Sequence, residues 1–345
     1  MKVKRLSLLV VSICLVLMFV SLSLIAEEAL AQTKTYNWKM TSSFPPGHNL
    51  NRSIIEFAKT LEQRTNGAVK ITVYEGTLGA PPDAWDMVTT NAVTFTFMGE
   101  AYHAGRLPIV SMLNLPFEIP DYYTLSVVLN EWFKAGYLKE LTNNFKLLYF
   151  MPINRQNIFM RNKKVSTMDD IRGLKISSVS GIQGQTVTAL GATGVSMPGA
   201  ELYMALSTGI LDGTITGIDN VVDRKLYEVI KYGLNFAVYG GTFMFVMNKE
   251  TWNSLPKDLQ ALIEQISQDV VNPDIQKRRA EEPIFWETVR QKNVETYTLS
   301  PEEQARWKKA TVGVTDKYVQ EWATKGHPTK EALDLMRKVV SVSKK

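Results

Sequence analysis

The chain has 345 residues, enough for about two domains at roughly 150 residues each. Hydrophobic residues make up 45% and charged residues 21%, which excludes a disordered chain, a coiled coil and a polytopic membrane protein. A single cysteine excludes a disulfide framework and a four-cysteine zinc site, and a net charge of +5 without clustering excludes nucleic acid as the expected partner.

Lys2, Lys4 and Arg5 precede an apolar run from Leu6 to Ala26, and Ala29-Leu30-Ala31 follows. These are the three parts of a secretory signal peptide, so residues 1–31 are expected to be cleaved after Ala31 and the protein to reside in the periplasm. The run is also long enough to span a bilayer, which makes an uncleaved anchor the competing reading. Small residues at the cleavage position and the lack of a stop-transfer cluster favour cleavage. Cys14 lies inside the run behind Ile13, a poor context for lipidation, and would leave with the signal peptide. The segment carries three basic and two acidic residues, so its loss lowers the net charge only to +4.

Tyr36–Thr41 alternates around Trp38 and Met40 and predicts a strand, ended by the turn Ser42-Ser43-Phe44-Pro45-Pro46-Gly47. Ile54, Ile55, Phe57, Ala58 and Leu61 are spaced for a helix over 51–65, capped by Asn66-Gly67. A strand over Val69–Tyr74, a helix near Asp83–Thr90 and a strand over Val93–Met98 complete an α/β alternation with a largely parallel sheet. Tyr122–Lys134 predicts a helix, and Phe145–Met151 and Ile158–Asn162 predict strands. A second alternation follows: strand Leu174–Ser178, helices Gln183–Leu190 and Pro198–Thr208, strand Gly213–Ile218. Phe243–Asn248 is the last clear strand, and from Pro256 the chain reads as amphipathic helix that Pro273 and Pro283 should bend or break.

No nucleophile elbow, phosphate loop or metal-binding spacing is present, and His48, His103 and His327 are far apart in sequence. Nothing asks for an enzyme, a metal or a cofactor.

Several stretches in register carry a family resemblance. Thr65-Asn66-Gly67-Ala68-Val69-Lys70-Ile71-Thr72-Val73, Asn114-Leu115-Pro116-Phe117 and Asp169-Asp170-Ile171-Arg172-Gly173-Leu174-Lys175-Ile176 are followed by Gly209-Ile210-Leu211-Asp212-Gly213. Met247-Asn248-Lys249-Glu250-Thr251-Trp252-Asn253-Ser254-Leu255-Pro256 comes last. In this order they resemble the solute-binding subunits of tripartite ATP-independent periplasmic (TRAP) transporters, of the dicarboxylate-binding DctP-like kind. The resemblance implies an α/β, two-lobed periplasmic binding protein fold (type II-like), its lobes joined by crossing strands and a long helix. The first lobe would take about 35–155 plus part of 240–345, and the second about 156–240 plus part of the C-terminal helices. It further implies a monomeric, non-enzymatic receptor that closes on a small organic acid or related neutral compound and docks on membrane permease subunits for ion-gradient-driven uptake. A periplasmic sensor presenting its ligand to a receptor kinase is the alternative.

The chain departs from the family at its ligand clamp. Where most relatives continue the L-K-I signature with an arginine, this chain has Ser177, and a second basic position aligns with Asn157. Either the ligand is neutral or its carboxylate meets a relocated arginine, for which Arg155, two residues before Asn157 and so on the same face of a strand, is the candidate clamp. Thr214 and Thr216 are further polar candidates. Strand ends, where open α/β sheets place ligands, add Phe44, His48, Tyr102 and Phe243, with the aromatic rings as apolar walls.

Overall fold

The computed structural model describes residues 34–343; the expected signal peptide, its cleavage site and Cys14 lie outside them. The first lobe begins with β1 (Tyr36–Ser42), α1 (Arg52–Arg64), β2 (Val69–Glu75), α2 (Ala84–Thr89) and β3 (Phe95–Gly99). Helix α1 stops where predicted. Asn66 and Gly67 both take left-handed backbone (φ 49° and 79°), and the Gly67 amide donates to the Glu62 carbonyl. Its apolar face buries Ile54, Phe57 and Leu61, with Phe57 edge-on to Phe95 and Phe245, whereas Ile55 is partly exposed. Next come α3 (Tyr122–Lys134), α4 (Lys139–Asn144) and β4 (Phe145–Pro152).

The second lobe holds β5 (Gln156–Met160), β6 (Lys175–Ser178), α5 (Gly181–Ala189), β7 (Thr193–Ser196), α6 (Leu202–Thr208), β8 (Gly213–Gly217), α7 (Ile218–Asp223) and β9 (Tyr232–Tyr239). The chain then returns to the first lobe with β10 (Thr242–Asn248) and α8 (Lys249–Asn253). It ends with α9 (Lys257–Gln291), β11 (Glu295–Tyr297), α10 (Pro301–Thr324) and α11 (Thr329–Ser343).

The two sheets have the orders β2-β1-β3-β10-β4 and β11-β9-β5-β8-β6-β7. In the first, β1–β3 are mutually parallel and β10 is inserted antiparallel between β3 and β4. In the second, β6–β8 are parallel and β5 is inserted antiparallel between β8 and β9. Each inserted strand arrives from the other lobe, through residues 153–155 in one direction and Gly240-Gly241 in the other. Glycine lets that return pass close to its neighbours. A Cβ at Gly240 would stand 2.7 Å from Leu125, and one at Gly241 would stand 2.8 Å from Ile153 and 2.9 Å from Glu100.

Helix α9 ties the lobes a second time. Ile263, Ile266 and Val271 pack into the core around Phe57 and Phe245, while Trp286 and Val289 pack with Phe159 and Leu206 of the second lobe. The helix runs unbroken for 35 residues through Pro273 and Pro283, against the expected break. Both prolines are exposed, so the carbonyls they leave unbonded a turn earlier are open to water. Among the described residues no helix is long and apolar enough to cross a membrane.

Candidate functional site

A cavity of about 100 Å³ lies between the strand ends of the two lobes. Its first-lobe wall is aromatic. Phe243 on β10 stands opposite Gly99 on β3, and its ring lies so close to that backbone that a Cβ at Gly99 would be 2.9 Å away. Phe243 stacks on Phe97 (centroids 5.1 Å apart) and meets Phe44, from the turn after β1, at 4.8 Å. Burial pushes the Tyr102 hydroxyl pKa up at the same wall.

One charged group belongs to this wall. The Glu100 carboxyl is 2% exposed; Oε1 accepts from Asn114 Nδ2 (2.7 Å) and Oε2 from the Thr242 amide (3.0 Å). Burial pushes its pKa up to about 7 despite those two bonds. Asn114 Oδ1 in turn accepts from Gln183 Nε2 of the second lobe, so the carboxyl is wired across the cleft.

The second-lobe wall is polar. Parallel pairing of β6 and β8 sets Ser177 beside Thr214, and their hydroxyls are 2.6 Å apart. Ser177 and Thr216 face the cavity. Helix α7 starts at the end of β8 and delivers three more side chains. Asp219 is 2% exposed and forms a 3.0 Å ion pair with Arg278 of α9, whose other arm donates to Asn49 of the first lobe. Asn220 lines the cavity and accepts from Arg224 Nε at 3.4 Å. Arg224, just past the end of α7, lines the same cavity beside Gly199, and among the described residues no ion pair ties it to a carboxylate. Burial lowers its pKa, outweighing the attraction of Tyr102, Asp223 and Asp219.

Of the residues expected from sequence, the structure brings Phe44, Tyr102, Ser177, Thr216 and Phe243 together around the cavity. Thr214 stands behind Ser177. His48 stacks on Phe44 at 4.3 Å, with Nε2 3.3 Å from Asn220 Oδ1 across the cleft; burial depresses its pKa to about 4, so the ring is neutral. Asn157 is buried away from the cavity, its amide donating to the Arg155 carbonyl.

Arg155 is a correction. Its guanidinium turns away to Glu282 on α9 (2.9 Å) and the Pro120 carbonyl. Asn157, whose face Arg155 was expected to share, is itself turned away from the cavity, and it is Gln156 between them that lines it, so the shared face leads away from the site. The arginine that does reach the cavity, Arg224, went unpredicted. The available signal was its place four residues after Asn220, just past a helix that opens at a strand end.

Residues 40–321 match the family of bacterial extracellular solute-binding proteins, family 7. The chain belongs to that family. It is 27% identical over 202 residues to a solute-binding protein of Chromohalobacter salexigens, an alignment covering 57% of this chain and 59% of that protein's length. It is 27% identical over 293 residues to the C4-dicarboxylate-binding periplasmic protein DctP of Rhodobacter capsulatus, covering 82% and 86% of the two chains. Its fold is that of a solved TRAP solute-binding protein from an unidentified marine microbe (TM-score 0.82, 22% identity, 90% and 100% of the chains covered). That structure is described as specific for aromatic acids and holds metahydroxyphenylacetate. As a family 7 protein the chain is thus a two-lobed solute-binding protein whose cavity has hydroxyls at Ser177 and Thr216 and an arginine, Arg224, that among the described residues no ion pair ties.

Proposed function

We propose that this protein is a monomeric periplasmic receptor, exported with cleavage after Ala31, that encloses a small organic acid between its lobes. It then presents the closed, loaded form to a TRAP membrane permease for uptake driven by an ion gradient. The observation that carries this reading is Arg224: a half-buried guanidinium in a largely apolar cavity, without a carboxylate of its own. A ligand carboxylate would supply the missing counter-charge through a planar, two-pronged contact. Arg224 thereby takes the role that the family resemblance assigns to the position of Ser177.

Closure follows from the wiring of the cleft. Asn114–Gln183, His48–Asn220 and the Asn49–Arg278–Asp219 chain all join one lobe to the other, so a ligand touching both walls adds to contacts that exist only in the closed form. The organic-acid class is supported by relatives whose descriptions name C4-dicarboxylate and aromatic acids. The receptor role, without chemistry of its own, is supported by the family, whose members are solute-binding proteins.

Thermal-shift screening of the mature chain against carboxylates and neutral metabolites tests the proposal. Carboxylates should raise the melting temperature, and a hundredfold excess over Kd adds about 2.7 kcal/mol to stability. Stabilisation by neutral compounds alone, or carboxylate affinity unchanged in Arg224→Ala, would overturn it.

A further inference from the structure

Resting on the carboxylate reading above, we infer that His48 is a positioning residue: from the first lobe it orients Asn220 and, through it, the Arg224 guanidinium of the second, so the grip on a ligand carboxylate is completed only when the lobes close. A backbone amide sets the form of the ring. The Leu50 amide donates to His48 Nδ1 at 3.2 Å, so that nitrogen is the acceptor. Burial keeps the ring neutral, and a neutral imidazole with an accepting Nδ1 carries its proton on Nε2. Nε2 is therefore a donor, and Asn220 Oδ1 at 3.3 Å is its acceptor. The Asp223 carboxylate stands 3.7 Å from Nε2, too far for a hydrogen bond, and receives the Asn49 amide at 3.4 Å instead. The ring is buried and stacked on Phe44, which keeps Nε2 aimed across the cleft.

That bond fixes which way the Asn220 amide points. Its Oδ1 also accepts from Arg224 Nε at 3.4 Å, so donors from both lobes converge on one oxygen. A reversed amide would set Nδ2 against two donors at once, a clash that one donor alone opposes only half as strongly. With Nε engaged by Asn220, Arg224 meets a ligand carboxylate end-on, through its two terminal nitrogens. When His48 withdraws, Asn220 Oδ1 keeps a single 3.4 Å bond, and the long Arg224 side chain regains rotamers that binding must then freeze out. His48 lies between β1 and α1 of the first lobe, whereas Asn220 and Arg224 lie at the end of α7 in the second. A carboxylate that first lands on Arg224 in an open cleft is therefore held loosely, and closure tightens the hold. The ligand in turn favours the closed form by the same amount.

On the unmodified mature protein at about pH 7, a long-range nitrogen–proton NMR correlation of the His48 ring should show the Nε2-protonated tautomer. An Nδ1-protonated ring overturns the relay. Succinate, pyruvate, benzoate and 3-hydroxybenzoate are then titrated by calorimetry, and whichever binds most tightly is carried through a double-mutant cycle of His48→Phe with Arg224→Ala. Phenylalanine keeps the stack on Phe44 and removes the donor. His48→Phe should weaken binding about tenfold when Arg224 is present and less than about twofold when it is gone. The loss should appear as faster release, with the association rate within about threefold of the unmodified protein. His48→Gln, whose amide still donates, should recover affinity to within about threefold. An equal loss in both backgrounds, or none in either, overturns the positioning role while leaving the receptor intact. Affinity untouched by Arg224→Ala, or failure of all four acids to bind, overturns the carboxylate reading itself. The tautomer on the unmodified protein still tests the relay if His48→Phe does not fold.

Discussion

Arg278 and Arg224 both sit in the seam between the lobes, and their surroundings differ in what governs a buried charge. Arg278 projects from the long helix α9, is 1% exposed, and is matched by Asp219 at 3.0 Å and by Asn49. For this group burial opposes the charge, but Asp219, Tyr122 and Asp274 together outweigh it and its pKa is raised. Arg224 is half-buried, among the described residues its guanidinium hydrogen-bonds only the Asn220 amide oxygen, and burial outweighs the attraction of Tyr102, Asp223 and Asp219: its pKa is lowered. The same side chain is a structural rivet in one place and an open binding group in the other. What separates them is whether the fold itself supplies the counter-charge.

The largest effect should come from breaking the rivet. Arg278→Ala leaves Asp219 buried and unpaired, and denaturant unfolding should show a loss of about 3–5 kcal/mol. A loss below about 1 kcal/mol would erase the distinction between the two arginines. Arg224→Ala should do the reverse. Stability should stay within about 0.5 kcal/mol of the unmodified protein, while carboxylate affinity falls by about 2–4 kcal/mol, roughly thirty- to a thousandfold by calorimetry.

The pH dependence sharpens the picture at Glu100. Its folded pKa of about 7 lies above the ordinary 4.5, so the folded form holds the proton longer than the unfolded chain does. Its contribution to stability is therefore full below about pH 4.5 and is lost as pH rises through about 7. Neutral His48 works oppositely: with its pKa depressed to about 4, its contribution is full above about 6.5 and is lost as pH falls through 4. The informative quantity is thus a difference. Glu100→Gln should gain on the unmodified protein by about 1–3 kcal/mol between pH 4.5 and 7; parallel stability curves would refute the assignment. The smallest effect belongs to Arg155→Ala. Removing its partly exposed pair with Glu282 should change stability by less than about 1 kcal/mol and leave ligand affinity untouched. A large affinity loss there would return the clamp to Arg155.

How much of this was legible in the sequence depended on how local the signal was. The Asn66-Gly67 cap, the amphipathic α1 and the strand-end positions of Ser177 and Thr216 are written in a few neighbouring residues. Strands β7, β9 and β11 were not foreseen. The exposed Thr193–Ser196 and the three-residue β11 carry no buried pattern of their own and are strands only because a neighbour pairs with them. Arg155 was misplaced because the face it shares with Asn157 is not the one that meets the cavity, which Gln156 lines instead. Arg224 was invisible because its importance depends on where the end of a short helix lands across a cleft, and on the absence of an acid nearby. The prolines of α9 were read correctly as helix-breaking residues in isolation, but packing against both lobes holds that helix together.

The insertion of β10 between β3 and β4 also sets an order of assembly. Five of the second sheet's six strands, β5 to β9, fall within residues 156–239 and lack only the short edge strand β11. The first sheet cannot join β3 to β4 until residues 242–248 arrive from the far side of the second lobe. The lobe that begins the chain is therefore the later one to be completed, with its pairing delayed by the loop closure that long-range strands require. During synthesis most of the polypeptide has emerged before its N-terminal half can become a finished sheet.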